Sequence, residues 1–251
     1  MGKLEKRRAL VTGSSSGIGA GVALAFAREG ADVVVNYLGS NQQAAAQKIV
    51  GQIRDQGRRS KAIEADVSNA EDVKRMVGGA VTELGGIDIL VNNAGMAGNS
   101  KIEDMPIEEW DRMLAVHARG VFLATRLVLP MMYRQNSGKI VNTASQLAYK
   151  ASAGLSHYCA AKAAIIVFTR CLALEIGTRN VNANCVAPGA TKTPILDGIG
   201  EETMAKIRAS IPKGRFSEVD EIVPSYVFLA SEDARQFQGQ CISPNGGDIF
   251  L

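Results

Sequence analysis

The sequence predicts one doubly wound α/β domain, a three-layer α/β/α sandwich with a parallel sheet in the middle. Three observations carry this. Strand-like and helix-like segments alternate along the whole chain. The strand-like runs are apolar throughout, as strands are when helices cover both faces of their sheet. A glycine-rich turn joins the first strand to the first helix. The 251 residues are 46% apolar and 21% charged, ordinary globular usage. Aromatics make up only 5%, so the core must be built from Ala, Val, Ile and Leu. No linker, low-complexity stretch or internal repeat divides the chain, so a single domain over 1–251 is expected.

The elements follow in order. Residues 9–11 form a short apolar strand that ends in Thr12-Gly13, and the helix after it runs over 18–28 and stops at Gly30. Residues 33–35 are the second strand, and 42–56 read as a polar-faced helix. Ala62-Ile63 leads into Asp66-Val67, and a helix covers 70–84. A continuous apolar strand spans 87–91. A long, strongly apolar helix over 110–132 precedes the strand 139–143. A second such helix covers 158–176, followed by the strand Val181–Val186, a helix over 222–230 and a last short strand over 240–243. The least regular stretch is 189–214. It sets Ile195, Leu196, Ile199, Met204 and Ile207 among glycines and charges, and reads as a mobile substrate lid with an apolar underside.

Composition excludes several function classes. The formal net charge is +3, and the longest basic block is Lys6-Arg7-Arg8, which gives no nucleic-acid footprint. Those three residues read as solvating the entry to the first strand. Cys159, Cys171, Cys185 and Cys241 are widely spaced and form no C-x-x-C pair. With only two histidines, His117 and His157, a metal site is not expected. The cysteines read as reduced, mostly buried thiols of a cytoplasmic protein. No run reaches the ~18 apolar residues of a membrane span. The N-terminus lacks the apolar segment of a signal peptide.

The turn Thr12-Gly13-Ser14-Ser15-Ser16-Gly17-Ile18-Gly19 lies between the first strand and the first helix. Gly13 suits a tight turn, Gly17 a close approach to pyrophosphate, and Gly19 close packing of helix on sheet. The helix N-terminus then presents free N–H groups to a phosphate. The second strand ends in Asn36-Tyr37, where a carboxylate would mark selection for the ribose 2′-hydroxyl of NAD. With no acid there, a 2′-phosphate is not repelled. Neutral donors from Asn36, Tyr37 and Ser40 are its candidate partners. NADP(H) is therefore the expected cofactor, with NAD(H) as the alternative.

Tyr158 and Lys162 stand four residues apart on a predicted helix, one turn apart on one face. A free phenol titrates near about 10. A neighbouring ammonium favours phenolate and lowers that value. Such a tyrosine exchanges a proton with a carbonyl or alcohol oxygen. Ser145, just beyond a strand, is placed to hydrogen-bond the same oxygen.

Together these motifs resemble the classical short-chain dehydrogenase/reductase family over essentially the whole chain. The shared features are Thr12-Gly13-x-x-x-Gly17-x-Gly19, Asp66-Val67, Asn92-Asn93-Ala94-Gly95, Ser145, Tyr158-x-x-x-Lys162, Pro188-Gly189 and Asn245-Gly246-Gly247. The resemblance implies a Rossmann-like fold with a seven-stranded parallel sheet and three helices on each face. It implies a dinucleotide held by Gly13, Ser15, Ser16, Gly17, Ile18 and Gly19. Asp66 and Val67 would contact the adenine, and Asn93, Ala94 and Gly95 would line the nicotinamide ribose. Pro188, Gly189, Thr191 and Thr193 would hold the nicotinamide. Tyr158 would be the acid/base, Ser145 would position substrate, and Lys162 would bind the ribose hydroxyls. It further implies a homotetramer or homodimer built on the two long apolar helices.

Two departures stand out. The family places Asn where this chain has His117, in Val116-His117-Ala118-Arg119-Gly120. The family asparagine helps hold a water that links the lysine to solvent. His117 is expected to take over those hydrogen bonds and to tune the pH–rate profile, or else simply to pack in the helix. Within the family the chain resembles 3-oxoacyl-acyl-carrier-protein reductases, whose second long helix tends to carry an Arg where this chain has Leu174. The expected reaction is reduction of a ketone or 3-oxoacyl group to a secondary alcohol, or its reverse. A dehydrogenase of a small sugar or secondary alcohol is the alternative within the family. A dinucleotide-binding sensor or structural subunit without chemistry is the alternative outside it.

Overall fold

The computed structural model describes residues 2–250. Seven strands, β1 (Arg8–Val11), β2 (Asp32–Tyr37), β3 (Ser60–Glu64), β4 (Ile89–Asn92), β5 (Gly138–Thr143), β6 (Val181–Val186) and β7 (Cys241–Ile242), form one parallel sheet. Their order is β3-β2-β1-β4-β5-β6-β7. The helices are α1 (Gly17–Arg28), α2 (Ser40–Asp55), α3 (Ala70–Leu84), α4 (Ile107–Leu114), α5 (Gly120–Gln135), α6 (Leu147–Lys150), α7 (Ser156–Ile176), α8 (Glu201–Ser210) and α9 (Val219–Ala230).

The period of two in the strands survives inside their all-apolar sequences. Ala9, Val11, Val33, Val35, Ile89 and Val91 point to one face, where they meet Phe26 of α1, Ile49 and Ile53 of α2, and Tyr226 and Leu229 of α9. Leu10, Val34, Leu90 and Ile140 point to the other, against Met76 of α3, Val128 and Met132 of α5, and Leu172 and Ile176 of α7. Each large side chain so buried contributes about 1.5–3 kcal/mol.

The long helix expected over 110–132 spans Ile107–Gln135. It is continuous but not regular: Ala115–Arg119 form a π-helical turn between α4 and α5. Among the described residues, this helix alone is long and apolar enough to cross a membrane. Met113, Val116, Ala124, Val128 and Met132 are instead buried in the protein.

Three expectations need correction. Arg8 does more than solvate a strand entry. Its guanidinium grips Asp88 through Nε at 2.8 Å and Nη2 at 2.7 Å, tying β1 to the segment before β4. The thiols are not mostly buried: Cys185 is buried, Cys159 and Cys241 are half-buried, and Cys171 is exposed. The stretch 189–214 is more regular than its sequence suggests. It holds a short 3-10 turn, Pro194–Leu196, and then α8, in which Met204 and Ile207 are half-buried and no side chain is fully buried.

Candidate active site

The chain winds outward from β1 to β3 and then returns to β4 beside β1. Such a reversal opens a crevice at the carboxyl ends of the strands. The expected cofactor residues all follow those ends: Gly13–Gly19 after β1, Asn36, Tyr37 and Ser40 around the end of β2, Asp66 and Val67 after β3. Asn93–Gly95 follow β4, and Pro188–Thr193 follow β6. Ser145 follows β5, and α7 carries Tyr158 and Lys162.

The glycine turn is built by hydrogen bonds that its neighbours supply. Thr12 Oγ1 accepts from the N–H groups of Asn93 at 2.9 Å and Ala94 at 3.0 Å. Asn93 Nδ2 donates to the carbonyls of Thr12 at 3.0 Å and Gly13 at 3.1 Å. Gly13 sits at φ +60°, and a Cβ there would lie 2.6 Å from the Cα of Ala94. A Cβ on Gly19 would lie 2.3 Å from the carbonyl oxygen of Gly13, so that glycine is what seats α1 on the turn. Among the described residues, no side chain caps the first turn of α1 and no acid lies in it. Its orphan N–H groups and positive dipole end remain for a phosphate, so the residues present fit a dinucleotide. Thr193 stands over Gly17, 3.4 Å from where a Cβ would be, which brings the loop after β6 to the pyrophosphate end of the cradle.

Asn36 is not a free phosphate donor. Its Oδ1 accepts from the Gly13 N–H at 2.9 Å, and its Nδ2 is shared among the carbonyls of Tyr37, Ile63 and Ala65. It fixes the turn instead of reading the ribose. Tyr37 is likewise buried in the core between α1 and α2. Of the three expected donors, only Ser40 is exposed, at the start of α2. Gln42 was not anticipated. Its Oε1 accepts from Ser15 Oγ at 2.8 Å, which steadies the cradle.

Asp66 accepts from Ser68 N–H at 2.9 Å and from Arg112 Nη1 at 2.9 Å. Burial would raise its pKa, but the Ser68 bonds and the Arg112 guanidinium outweigh it and hold the carboxyl below its usual range. Arg112 had no signal in sequence, because the contact joins segments 46 residues apart.

At the reacting end, Lys162 is buried and donates from Nζ to the carbonyl of Thr143 at 2.8 Å. Its Nζ lies 5.6 Å from the centre of the Tyr158 ring. The expected direction of the tyrosine shift is overturned. Burial pushes the Tyr158 phenol up, and the hydrogen bond from Ser145 only partly opposes it. Burial also brings Lys162 down to about 7, so near neutrality the neighbour that was to act as an ammonium is only part-charged. Ser145 is itself oriented by the Leu147 N–H, which donates to its Oγ at 3.1 Å.

His117 occupies the π turn, fully enclosed, with its ring edge-on to Tyr158 at 5.4 Å between centroids. Its Nε2 lies 3.2 Å from the Met96 N–H and 3.0 Å from the Met96 carbonyl. Burial, reinforced by Lys162, holds its pKa well below the ordinary imidazole value. A neutral ring does not titrate near pH 7, so the expected tuning of the pH profile by its charge is not supported. Beside it, a Cβ on Gly95 would strike His117 Cε1 at 2.5 Å. The histidine is thus a buttress behind the loop after β4.

Residues 13–248 match a family model described as Enoyl-(Acyl carrier protein) reductase. The chain is 38% identical over 241 residues to the 3-oxoacyl-acyl-carrier-protein reductase FabG of Staphylococcus aureus, covering 96% of this chain and 97% of that one. The chain belongs to the short-chain dehydrogenase/reductase family. The chain is also 40% identical over 256 residues to D-beta-hydroxybutyrate dehydrogenase of Cupriavidus necator, covering 97% and 98% of the two chains. Its fold superimposes with a TM-score of 0.93 on a short-chain type dehydrogenase/reductase of Mycobacterium marinum, at 34% identity and with 99% and 98% of the chains covered. The same score relates it to a metagenomic blue fluorescent protein solved in complex with NADPH, at 32% identity and with 99% and 100% covered. Its family makes it an NAD(P)-dependent oxidoreductase acting on CH–OH groups.

One more cluster carries no local signal in the sequence. Asp248 accepts from Gln146 Nε2 at 2.7 Å, from Ser210 Oγ at 3.1 Å and from Lys150 Nζ. It thereby joins the residue after Ser145 to the last residue of α8. The partners lie 38 to 102 residues from Asp248, beyond any local motif.

Proposed function

We propose that the chain reduces the ketone of a 3-oxoacyl or similar, mostly apolar substrate to a secondary alcohol, with NADP(H) preferred. The observation that carries this is the Ser145–Tyr158–Lys162 constellation at the end of β5, backed by the dinucleotide cradle after β1. When bound, the reduced dinucleotide supplies hydride to the carbonyl carbon. Ser145 hydrogen-bonds the carbonyl oxygen and fixes its distance from Tyr158. Tyr158 gives that oxygen its phenolic proton. Because burial raises the phenol pKa, the residue stands protonated at neutral pH, the form that reduction requires. Lys162, with a pKa of about 7, gains proton affinity when phenolate forms beside it and so stabilises that phenolate.

For NADP(H), the support is the missing acid after β2 and the start of α2. Among the described residues, that helix has neither a side-chain cap nor an acid in its first turn. Its N–H groups and the Ser40 hydroxyl suit a 2′-phosphate. The relative solved with NADPH points the same way. The apolar substrate preference rests on Ile195, Met204 and Ile207 in the lid segment. We place the protein in the cytoplasm as a dimer or tetramer joined through α4, α5 and α7.

The test follows nicotinamide absorbance with both cofactors and three substrates: acetoacetyl-CoA as a 3-oxoacyl thioester, a plain methyl ketone, and 3-hydroxybutyrate in the reverse direction. Turnover of the thioester with higher kcat/KM for NADPH is expected. Preference for 3-hydroxybutyrate would favour a second reading, a hydroxy-acid or secondary-alcohol dehydrogenase. Two observations favour that reading: the likeness to the Cupriavidus enzyme, and Leu174, 83% exposed where a carrier reductase tends to hold an arginine. Cofactor binding without turnover of any substrate would leave the sensor reading.

A further inference from the structure

Cys185 and Cys241 are nearest neighbours on adjacent parallel strands, paired in register as β6 meets β7. In-register parallel neighbours point to the same side of the sheet, and strands stand about 4.8 Å apart. That separation lies inside the about 4.4–6.8 Å Cα window of a disulfide. Both side chains face α7, packed with Ile165 and Ile166. Cys185 Sγ lies 3.1 Å from Thr169 Oγ1 of that helix. It ends a buried polar chain in which Asn142 Nδ2 donates to Thr169 and Asn92 Nδ2 donates to Asn142.

We propose that Cys241 and Cys185 form a peroxide-oxidisable dithiol, with half-buried Cys241 as the attacking sulfur and buried Cys185 as the resolving one. Neither sulfur takes part in the oxidoreductase chemistry above. The groups facing the pair supply a reason for the asymmetry. The neighbouring Cys185 side chain, with help from Tyr149 and Arg170, holds Cys241 below the ordinary thiol range. Cys241 in turn, together with burial, pushes Cys185 up, opposed by Thr169 and Lys162. The thiolate is the nucleophile, so Cys241 reacts first.

The step balances. Cys241 thiolate attacks one oxygen of hydrogen peroxide; the S–O bond forms, the O–O bond breaks, and hydroxide leaves. Cys185 then attacks the sulfenic sulfur; the S–S bond forms and the S–O bond breaks, and water leaves with the Cys185 proton. Two thiols lose two electrons, and peroxide becomes two waters. Closure withdraws the Cys185 thiol from Thr169, directly beneath the helix that carries Tyr158 and Lys162.

The test treats the full chain with increasing hydrogen peroxide, blocks remaining thiols with N-ethylmaleimide after unfolding, and maps the peptides by mass. A Cys185–Cys241 cross-linked peptide should appear at peroxide levels at least about tenfold below those that oxidise exposed Cys171, and dithiothreitol should remove it. In Cys185→Ser, Cys241 should instead be trapped as a dimedone adduct. In Cys241→Ser, Cys185 should stay fully alkylatable. Oxidation of Cys171 ahead of an intact pair, or a wild-type sulfenic acid at Cys241 that never closes, would overturn the proposal. The wild-type readout holds even if a serine variant fails to fold.

Discussion

Lys162 and Tyr158 share one burial and pull against each other. The lysine loses its proton near pH 7, while the unfolded chain keeps that proton up to about 10.5. Between those values the unfolded state binds more protons, so this group makes stability rise with pH. Lys162→Met should remove that rise between pH 7 and 9 in urea unfolding. It should also gain on the order of 1 kcal/mol at pH 7, while losing most turnover. An unchanged slope would mean the ammonium is solvated in the folded state. If Tyr158 is the proton donor proposed, Tyr158→Phe should lower kcat by about 10²–10⁴-fold with the dinucleotide Kd nearly unchanged, since the cradle is untouched. His117→Ala should leave the shape of the pH–rate profile alone, because the ring is neutral. It should cost about 1–3 kcal/mol of stability through the cavity it leaves behind Gly95. The spacing of Tyr158 and Lys162 was legible in the sequence, but how deeply they and His117 are buried was not. Burial depends on β5, α4 and α7 meeting, and no local pattern records that.

The strands, and the helix after the glycine turn, were legible because their apolar patterns are set by burial. What was not legible depends on long-range hydrogen bonds. Asn36 looked like an exposed donor at a strand end, yet its amide is consumed by the backbone of Gly13, Tyr37, Ile63 and Ala65. The π turn Ala115–Arg119 contains no glycine or proline, Gly120 standing just beyond it, and α8 lacks the buried apolar stripe by which helices are recognised. The glycine turn itself makes a sharp prediction. In Gly19→Ala the new methyl would meet Gly13 O at 2.3 Å and Asn93 Nδ2 at 2.4 Å. Backbone cannot yield cheaply there, so α1 must lift from the turn. Dinucleotide affinity, read by fluorescence titration, should fall at least about tenfold, and stability by about 1–3 kcal/mol. Gly51→Ala in α2, where a Cβ meets nothing within 4 Å, should do neither.

At the scale of the molecule, five large apolar side chains on three neighbouring helices stand exposed. Ile107 and Trp110 on α4, Phe122 on α5, and Val167 and Leu174 on α7 are all exposed. Exposed leucines scattered singly need no explanation, but these lie on elements that pack side by side, with α4 and the π turn against α7. A two-fold axis through this face would let each copy cover the other with the same residues. It would also buttress the helix that holds Tyr158 and Lys162, so assembly and site geometry would be linked. Light scattering after size exclusion should therefore give a mass that is a multiple of 26.6 kDa. Phe122→Glu combined with Val167→Glu should shift it toward a single chain and lower turnover, with the isolated sheet still folded by circular dichroism. A wild-type protein that runs as one chain at micromolar concentration would count against the face as an interface. The five side chains would then be ordinary surface.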